Sequence, residues 1–270
     1  MALEIYYTSA QQGYREGTRG FCTVAATDGI PRALHERLES LSGYRHVAPA
    51  GDPRNPVVLA HWLLSVSGKD HHVLSRVCDA GFDYTQRENA FAHHLVLSAE
   101  ELAPAGPAWM LRAAGVMAER WDGRIGPIRR TAPLPRADES PRPCRLWEQA
   151  AGDAGWAAVL ADLLSTAPRR IVYILYDHRH DPLGLAAEAI RIVPPERRWQ
   201  ATFSTFFTSL PASAVCAWRF CPVGAASSGA SMVIDLTRPE QLGRPAENAL
   251  SAVARTGAAQ AESSRRPAPP

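Results

Sequence analysis

The fold of this chain is decided by one stretch, VVLAHWLLSVSGKDHHVLSRVCDAGFDYTQRENAFAHHLVL (57–97). Its apolar and β-branched runs at 57–66 and 71–77 flank Ser-Gly-Lys-Asp, a four-residue turn signal, so this part predicts a β-hairpin. The run FAHHLVL (91–97) predicts another strand after the polar loop at 79–90. The stretch therefore indicates a β-rich first half of the chain.

Elements before and after this stretch extend the same unit. The runs LEIYYT (3–8) and GFCTVAAT (20–27) are rich in β-branched and aromatic residues and predict two more strands. A helix is expected to begin at Pro31, because the fixed φ of proline suits the first helical turn. A helical piece is expected around 107–118. We therefore predict an N-terminal β-rich domain with one or two helices over residues 1–121.

The composition changes after this domain. Residues 122–144 hold five prolines and little periodicity, which indicates a connector. A smaller α/β domain is predicted over 145–256, so that the fold class is α+β. Residues 257–270 lack a periodic apolar pattern and are expected to be a disordered tail. The predicted elements of the second domain are a helix capped by Asp153, a strand at 171–176, a helix from Asp181 to Val193, and strands at 200–207, 214–221 and 231–236.

The overall composition favours a globular protein and gives no electrostatic field for nucleic acid. The hydrophobic fraction is 46%, and 29 basic and 27 acidic residues leave a formal net charge of +2. Because the basic residues are dispersed, nucleic-acid binding is not expected. No apolar run reaches the roughly 18 residues of a membrane-spanning helix, and no secretory signal is evident. The five cysteines have no paired spacing, so we expect a cytoplasmic chain with reduced thiols.

Known nucleotide-binding and hydrolase motifs are absent from the sequence. Gly68-Lys69 is followed by Asp70 rather than by a hydroxyl residue, and Leu63 stands where the first glycine of a phosphate-binding loop belongs. The patterns GxGxxG, GxSxG and HExxH are also missing. These tests assign no catalytic residue, no cofactor and no metal, and they disfavour an enzyme.

Histidines on three consecutive predicted strands suggest an alternative. Since side chains alternate across a strand, two or three imidazoles are able to meet on one face of the sheet, beside carboxylates of the adjoining loop. Such a cluster would make this chain a metal-dependent enzyme. The simpler interpretation, which we favour, is that each imidazole is exposed or bonds to the backbone. The residues concerned are His61, His71, His72, His93 and His94, with Asp79 and Asp83.

Two polar loops are candidate recognition sites. The loop DAGFDYTQREN (79–89) is either a recognition surface or a self-satisfied turn in which Asp and Asn bond the local backbone. The loop DHRHD (177–181) follows a buried-looking strand, at the end where α/β sheets bind ligands. Asp181 has a sufficient role there as a helix cap, so a structural loop is favoured for 177–181.

Several stretches of the chain together resemble one protein family. They are YYTSA (6–10), GFCTVAATDGIP (20–31), RLESLSGYRH (37–46), VLSRVCDAGFDYTQRENAFAHHLVL (73–97), GDAGW (152–156) and PPERRWQATFSTFFTSLP (194–211). They are similar to the GTPase-associated protein family, with its type-two N-terminal domain followed by its middle domain. The agreement over 73–97 is the most specific part.

The resemblance implies a non-catalytic adaptor or sensor that works with a separately encoded GTPase, or with another protein of the same system. Such systems serve bacterial signalling or defence. The resemblance carries over no catalytic residue, but it indicates a recognition segment. The motif positions of the family fall on Arg76, Asp79, Asp83, Tyr84, Arg87, Asn89, His93 and His94.

Overall fold

The computed structural model describes residues 2–211, 214–224 and 232–258. Within these residues, eleven strands share one hydrogen-bonded sheet in the order β11-β7-β10-β8-β3-β4-β5-β1-β2-β6, and β9 pairs with β3. The strands are β1 (Leu3–Ala10), β2 (Gly20–Ala26), β3 (Val58–Val66), β4 (Lys69–Phe82), β5 (Glu88–Leu97), β6 (Gly126–Pro127), β7 (Val172–Tyr176), β8 (Phe203–Ser204), β9 (Ala214–Val215), β10 (Trp218–Pro222) and β11 (Met232–Asp235).

Helices cover both faces of this sheet unequally. The α-helices are α1 (Arg32–Ser40), α2 (Pro107–Arg112), α3 (Arg145–Ala151), α4 (Gly155–Thr166), α5 (Pro182–Arg191) and α6 (Ser251–Thr256). Helices α2 to α6 contribute to one large hydrophobic core, which includes Leu74, Leu95, Ile174 and Phe220 from the strands. On the opposite face, α1 contributes Leu34 and Leu38 to a second core. A large part of that second face therefore has no helix over it among the described residues.

The predicted fold class is confirmed, since a β-rich first part with few helices precedes a mixed α/β region. The hairpin of β3 and β4 forms as predicted, with Val58 opposite Val77. Strand β4 is longer than predicted and continues through the first part of the expected loop to Phe82. An irregularity between Asp79 and Phe82 accommodates this extension, because the extra backbone at Ala80 and Gly81 leaves the ladder there.

Other element boundaries differ from the sequence prediction. The helix expected around 107–118 ends at Arg112, because Ala113 is extended. Most of the strand expected at 200–207 is irregular, and only Phe203–Ser204 pairs with a neighbour. Two short helices, α3 and α6, were not predicted, since each spans less than two turns and neither has a strong apolar period. Of the tail predicted at 257–270, residues 259–270 lie outside the described residues.

The two halves of the chain meet within the sheet itself. Strand β8 pairs antiparallel with β3, where Ala60 lies opposite Ser204, and parallel with β10, where Phe203 lies opposite Trp218. Strand β9 adds a second pairing to β3. The second core also combines both halves, since Trp62 and Leu64 share it with Tyr173 and Phe207. Backbone hydrogen bonds and side-chain packing thus continue across the predicted connector.

Candidate functional site

The tip of the β4–β5 hairpin, residues 82–88, contains the centre of the predicted recognition segment. Asp83 is buried there and organises the turn. Its carboxylate accepts hydrogen bonds from the Ser9 hydroxyl (2.8 Å), the Thr85 amide (2.7 Å) and the Arg87 amide (3.0 Å). These bonds, with the Thr85 hydroxyl first among them, hold the pKa of Asp83 well below its usual range. The carboxylate of Asp83 is therefore ionised, and its hydrogen bonds stabilise the turn at the hairpin tip.

Two further polar side chains of this loop, those of Asp79 and Asn89, also bond to the fold. Asp79 accepts hydrogen bonds from the Gly51 amide (2.6 Å) and the Asn55 side chain (2.9 Å). Burial alone would raise the pKa of Asp79, but these bonds and one from the Gly81 amide lower it overall. Asn89 accepts from the backbone of Ser9 at 3.0 Å, which ties β5 to β1. The self-satisfied arrangement thus describes Asp79, Asp83 and Asn89.

Arg76 and His93 face the same side of the sheet but serve different contacts. Arg76 donates to the carbonyl of Glu119 at 2.9 Å. His93 accepts from the Ala118 amide at Nδ1 (2.8 Å), so its Nε2–H donates to Glu4 (2.9 Å). This pattern is that of a neutral imidazole, and burial lowers the pKa of His93 accordingly.

His94 lies on the opposite face, among hydroxyl groups. Its Nδ1 is 2.7 Å from the Ser75 hydroxyl and its Nε2 is 2.9 Å from the Ser42 hydroxyl. The indole of Trp62 donates to the same Ser75 oxygen. Burial lowers the pKa of His94 to about 3, so this imidazole is neutral and structural near neutral pH.

His61 and His72 do come together, as the alternation of strands suggested. The two rings stack with their centroids 5.3 Å apart, and His61 Nε2 is 3.1 Å from His72 Nδ1. The other nitrogen of His61 donates to the carbonyl of Ala201 at 2.7 Å, and Trp199 closes the pair edge-on. Burial lowers the pKa of His61 to about 3. In the described part of the chain, no carboxylate forms an ion pair with either ring.

These positions do not assemble the metal centre of the alternative hypothesis. Within residues 2–211, 214–224 and 232–258, no group of three or more His, Cys, Asp and Glu side chains is placed to hold a metal ion. The five imidazoles that suggested it lie on two faces of the sheet with different partners. Each of the three that are fully buried has both ring nitrogens in hydrogen bonds to the fold.

The exposed side chains of the hairpin tip include two aromatic residues and one arginine. Phe82 is 57% exposed and Tyr84 is 43% exposed, while the Arg87 side chain is 63% exposed. The sequence analysis named Tyr84 and Arg87 but missed Phe82. An aromatic residue beside a run of strand residues resembles a core position, and only the irregularity after Asp79 turns it outward.

A groove lies beside the base of the same hairpin, on the sheet face that carries α1. Its volume is about 470 Å³, and Tyr7, Phe21 and Tyr44 line it together with Glu39 and Glu88. Phe21 is 49% exposed and stacks on Tyr7 with centroids 6.3 Å apart. Because Glu88 lies opposite Phe82 in the ladder, the groove and the hairpin tip are neighbouring parts of one surface.

The second predicted loop, 177–181, is structural as favoured. Asp181 caps α5 by accepting from the Gly184 amide at 2.9 Å, and it pairs with Arg112 at 2.9 Å. Asp177 also forms an ion pair, with Arg179 at 2.6 Å. The loop lines a cavity of about 420 Å³ at the carboxyl end of β7, but these acidic side chains are already paired.

Comparison with known families assigns most of the chain. Residues 1–139 match the domain described as GTPase-associated protein 1, N-terminal domain type 2. Residues 144–238 match GTPase-associated protein 1, middle domain. The chain belongs to the GTPase-associated protein 1 family. The resemblance seen in the sequence is thereby confirmed, and the two family domains share the single sheet described above.

Other comparisons add nothing to this assignment of a GTPase-associated protein. Neither the curated proteins nor the solved structures contain a significant match. Among the described residues, no helix has the length and apolar character needed to cross a bilayer.

Proposed function

We propose that this chain is a non-catalytic adaptor or sensor that binds a separately encoded GTPase in a bacterial signalling or defence system. Membership of the GTPase-associated protein 1 family supports a GTPase as the partner. The chain has no phosphate-binding loop of its own. Its five cysteines are buried and unpaired, which is typical of a reducing compartment and supports a cytoplasmic site of action.

The observation that carries this proposal is the rigid hairpin tip. Phe82, Tyr84 and Arg87 are exposed on a turn that the buried Asp83 holds in place through several hydrogen bonds. Aromatic and arginine side chains dominate the binding energy of protein interfaces, and a fixed turn loses little entropy on binding. The hairpin tip is therefore proposed as the centre of the GTPase contact.

The neighbouring groove extends this proposed contact. Tyr7, Phe21 and Tyr44 offer apolar area, and Glu39 and Glu88 offer negative charge. Since charged pairs at the rim of an interface mainly set specificity and association rate, the groove favours a GTPase surface with exposed lysine or arginine. The groove and the hairpin tip together provide contacts of both charge signs.

The test begins with capture. The full chain is immobilised, exposed to a lysate of the source organism, and the retained proteins are identified by mass spectrometry. The identified GTPase is then purified and its Kd for the chain is measured. Tyr84→Ala and Arg87→Ala are each expected to raise Kd about tenfold, the effect of losing one interface hot spot.

A matched control tests whether the effect is local. Val233 is also exposed, at 44%, but lies on β11 at the other end of the sheet, so Val233→Ala is expected to leave Kd unchanged. Circular dichroism confirms that each variant is folded. If no GTP-binding protein is retained, the adaptor role is contradicted. If wild type, Tyr84→Ala and Arg87→Ala have equal Kd values, only the placement of the GTPase contact at the hairpin tip is contradicted.

A further inference from the structure

A second cleft lies on the sheet face that α1 shares, where β7 and β10 run side by side. Its volume is about 800 Å³, within the range of small-molecule sites. Tyr173 and Arg219 line it from the two strands, opposite one another in the ladder. Phe206, Phe207 and Leu210 form an apolar wall, and Arg45 reaches it from the segment after α1.

Arg219 is held in an unusual environment for a permanent cation. It is only 8% exposed, and its guanidinium lies 4.5 Å from the ring centre of Phe207 and 5.3 Å from that of Tyr173. Its Nη1 donates to the Tyr173 hydroxyl at 2.7 Å, and its Nε donates to the Cys216 carbonyl at 3.1 Å. These contacts, with a further side-chain hydrogen bond to Cys216, fix the plane of the guanidinium.

Among the residues that the structure describes, no carboxylate lies against this charge. Arg219 forms no ion pair within the described residues, although exposed arginines such as Arg54 and Arg179 do. The cleft lining contains Arg45, Arg219 and His46 but neither aspartate nor glutamate, and of these three side chains His46 is paired with Asp79 and Glu88 beside the cleft. The two nearby stretches outside the described residues, 212–213 and 225–231, also contain no acidic residue. A buried charge without a partner of opposite charge is costly, so a site of this kind gains most from an anionic ligand.

We propose that this cleft binds an organic phosphate, with the phosphoryl group on Arg219 and Arg45 and the organic part against the wall of Phe206 and Leu210. A planar guanidinium with fixed orientation suits phosphate oxygens, and a phosphate dianion interacts with two cations more strongly than a single carboxylate does. This inference does not depend on the GTPase contact, because no residue of the hairpin tip lines the cleft, although His46 lines both the cleft and the neighbouring groove.

The experiment uses calorimetric titration of the full chain at pH 8 and constant ionic strength. The probes are phenyl phosphate, inorganic phosphate and benzoate. Phenyl phosphate is expected to bind most tightly, because only this probe combines a dianion with a ring. Absence of phenyl phosphate binding at millimolar concentration overturns the proposal. If benzoate binds as tightly as phenyl phosphate, the assignment of the ligand as a phosphate is overturned and the cleft is assigned to carboxylate ligands.

Variants locate the binding. Arg219→Met keeps the side-chain volume and is expected to weaken phenyl phosphate binding by about tenfold or more, since charge-assisted hydrogen bonds are lost. Arg45→Ala, at an exposed position, is expected to weaken it about two- to fivefold. Arg19→Ala is the control, because Arg19 is exposed and does not line the cleft. Unchanged affinity in Arg219→Met overturns the proposal.

Two readouts keep the test decisive. If Arg219→Met fails to fold, Arg45→Ala decides the outcome, and unchanged affinity in that variant overturns the proposed site. Tyr84→Ala is expected to retain phenyl phosphate binding. A failure of the phosphate proposal can therefore be distinguished from a failure of the proposed GTPase contact.

Discussion

Glu4, His93 and Arg130 form a buried polar cluster that joins the first strand to the connector. Arg130 Nε is 2.7 Å from one carboxylate oxygen of Glu4, and His93 Nε2 is 2.9 Å from the other. Burial alone would raise the pKa of Glu4, but the hydrogen bonds from His93 and Arg130 lower it from 4.5 to about 2. The ionised carboxylate thus stabilises the folded state above about pH 5, and this contribution is lost as the pH falls towards 2.

Glu4→Gln is therefore expected to cost about 3–5 kcal/mol of unfolding free energy at pH 7, because it removes one partner of a buried ion pair. Urea unfolding at pH 7, 5 and 3 checks this, and the difference from wild type should shrink at pH 3. Glu36→Gln is the control, because the Glu36 side chain is 53% exposed. A difference that is independent of pH contradicts the assigned role.

The sequence showed only part of this cluster. His93 was identified because it lies in a run of strand residues, but Glu4 and Arg130 are 126 positions apart and carry no local signal of pairing. The same holds for Arg219, which the sequence analysis did not single out. Its significance lies in the absence of a carboxylate nearby, and residue spacing cannot reveal that.

Arg198 organises the connector at the scale of elements. It is 1% exposed and donates to the carbonyls of Val193 (2.8 Å), Pro104 (3.0 Å) and Glu139 (2.8 Å). It also pairs with Asp138 at 2.9 Å. The proline-rich sequence of residues 122–144 predicts a linker without tertiary contacts. In the structure, the buried guanidinium of Arg198 binds this segment to the 3-10 turn that follows α5. The predicted connector is extended and also firmly attached.

Arg198→Met is expected to cost about 3–5 kcal/mol of unfolding free energy, because several buried carbonyls lose their donor at once. Limited proteolysis should then cut faster within 122–144. Arg197→Met is the matched control, since the adjacent Arg197 is exposed and its side chain donates to the hydroxyl of Ser165. Equal proteolysis rates for Arg198→Met and wild type would show that the connector is held by other contacts.

Strands with long apolar runs were predictable, whereas the short elements were not. The β3–β4 hairpin and β7 have clear patterns of their own. Strands β8 and β9 are two residues each and exist because β3 offers an edge for pairing. Tertiary pairing of this kind leaves no local pattern in the sequence.

The whole molecule is expected to unfold as one unit. The ladder from β3 to β8 and both cores combine residues from the two family domains. Thermal unfolding followed by circular dichroism and by tryptophan fluorescence should therefore give coincident single transitions. A fragment of residues 1–139 is expected to aggregate or remain unfolded, since it would expose the edge of β3 and apolar side chains such as Leu74 and Leu95.

The full chain, measured under the same conditions, is the control. A monomeric 1–139 fragment with its own sharp transition would show that the first family domain is independent of the second.

The shared sheet also constrains how such proteins diversify. Where two domains are joined by a flexible linker, recombination can replace one domain without changing the other. Here an incoming middle domain must present a strand that continues the ladder from β3 and side chains that fill the cores beneath it. Successful gene fusions in this lineage are therefore expected to replace both modules together, or to alter only the loops that leave the sheet.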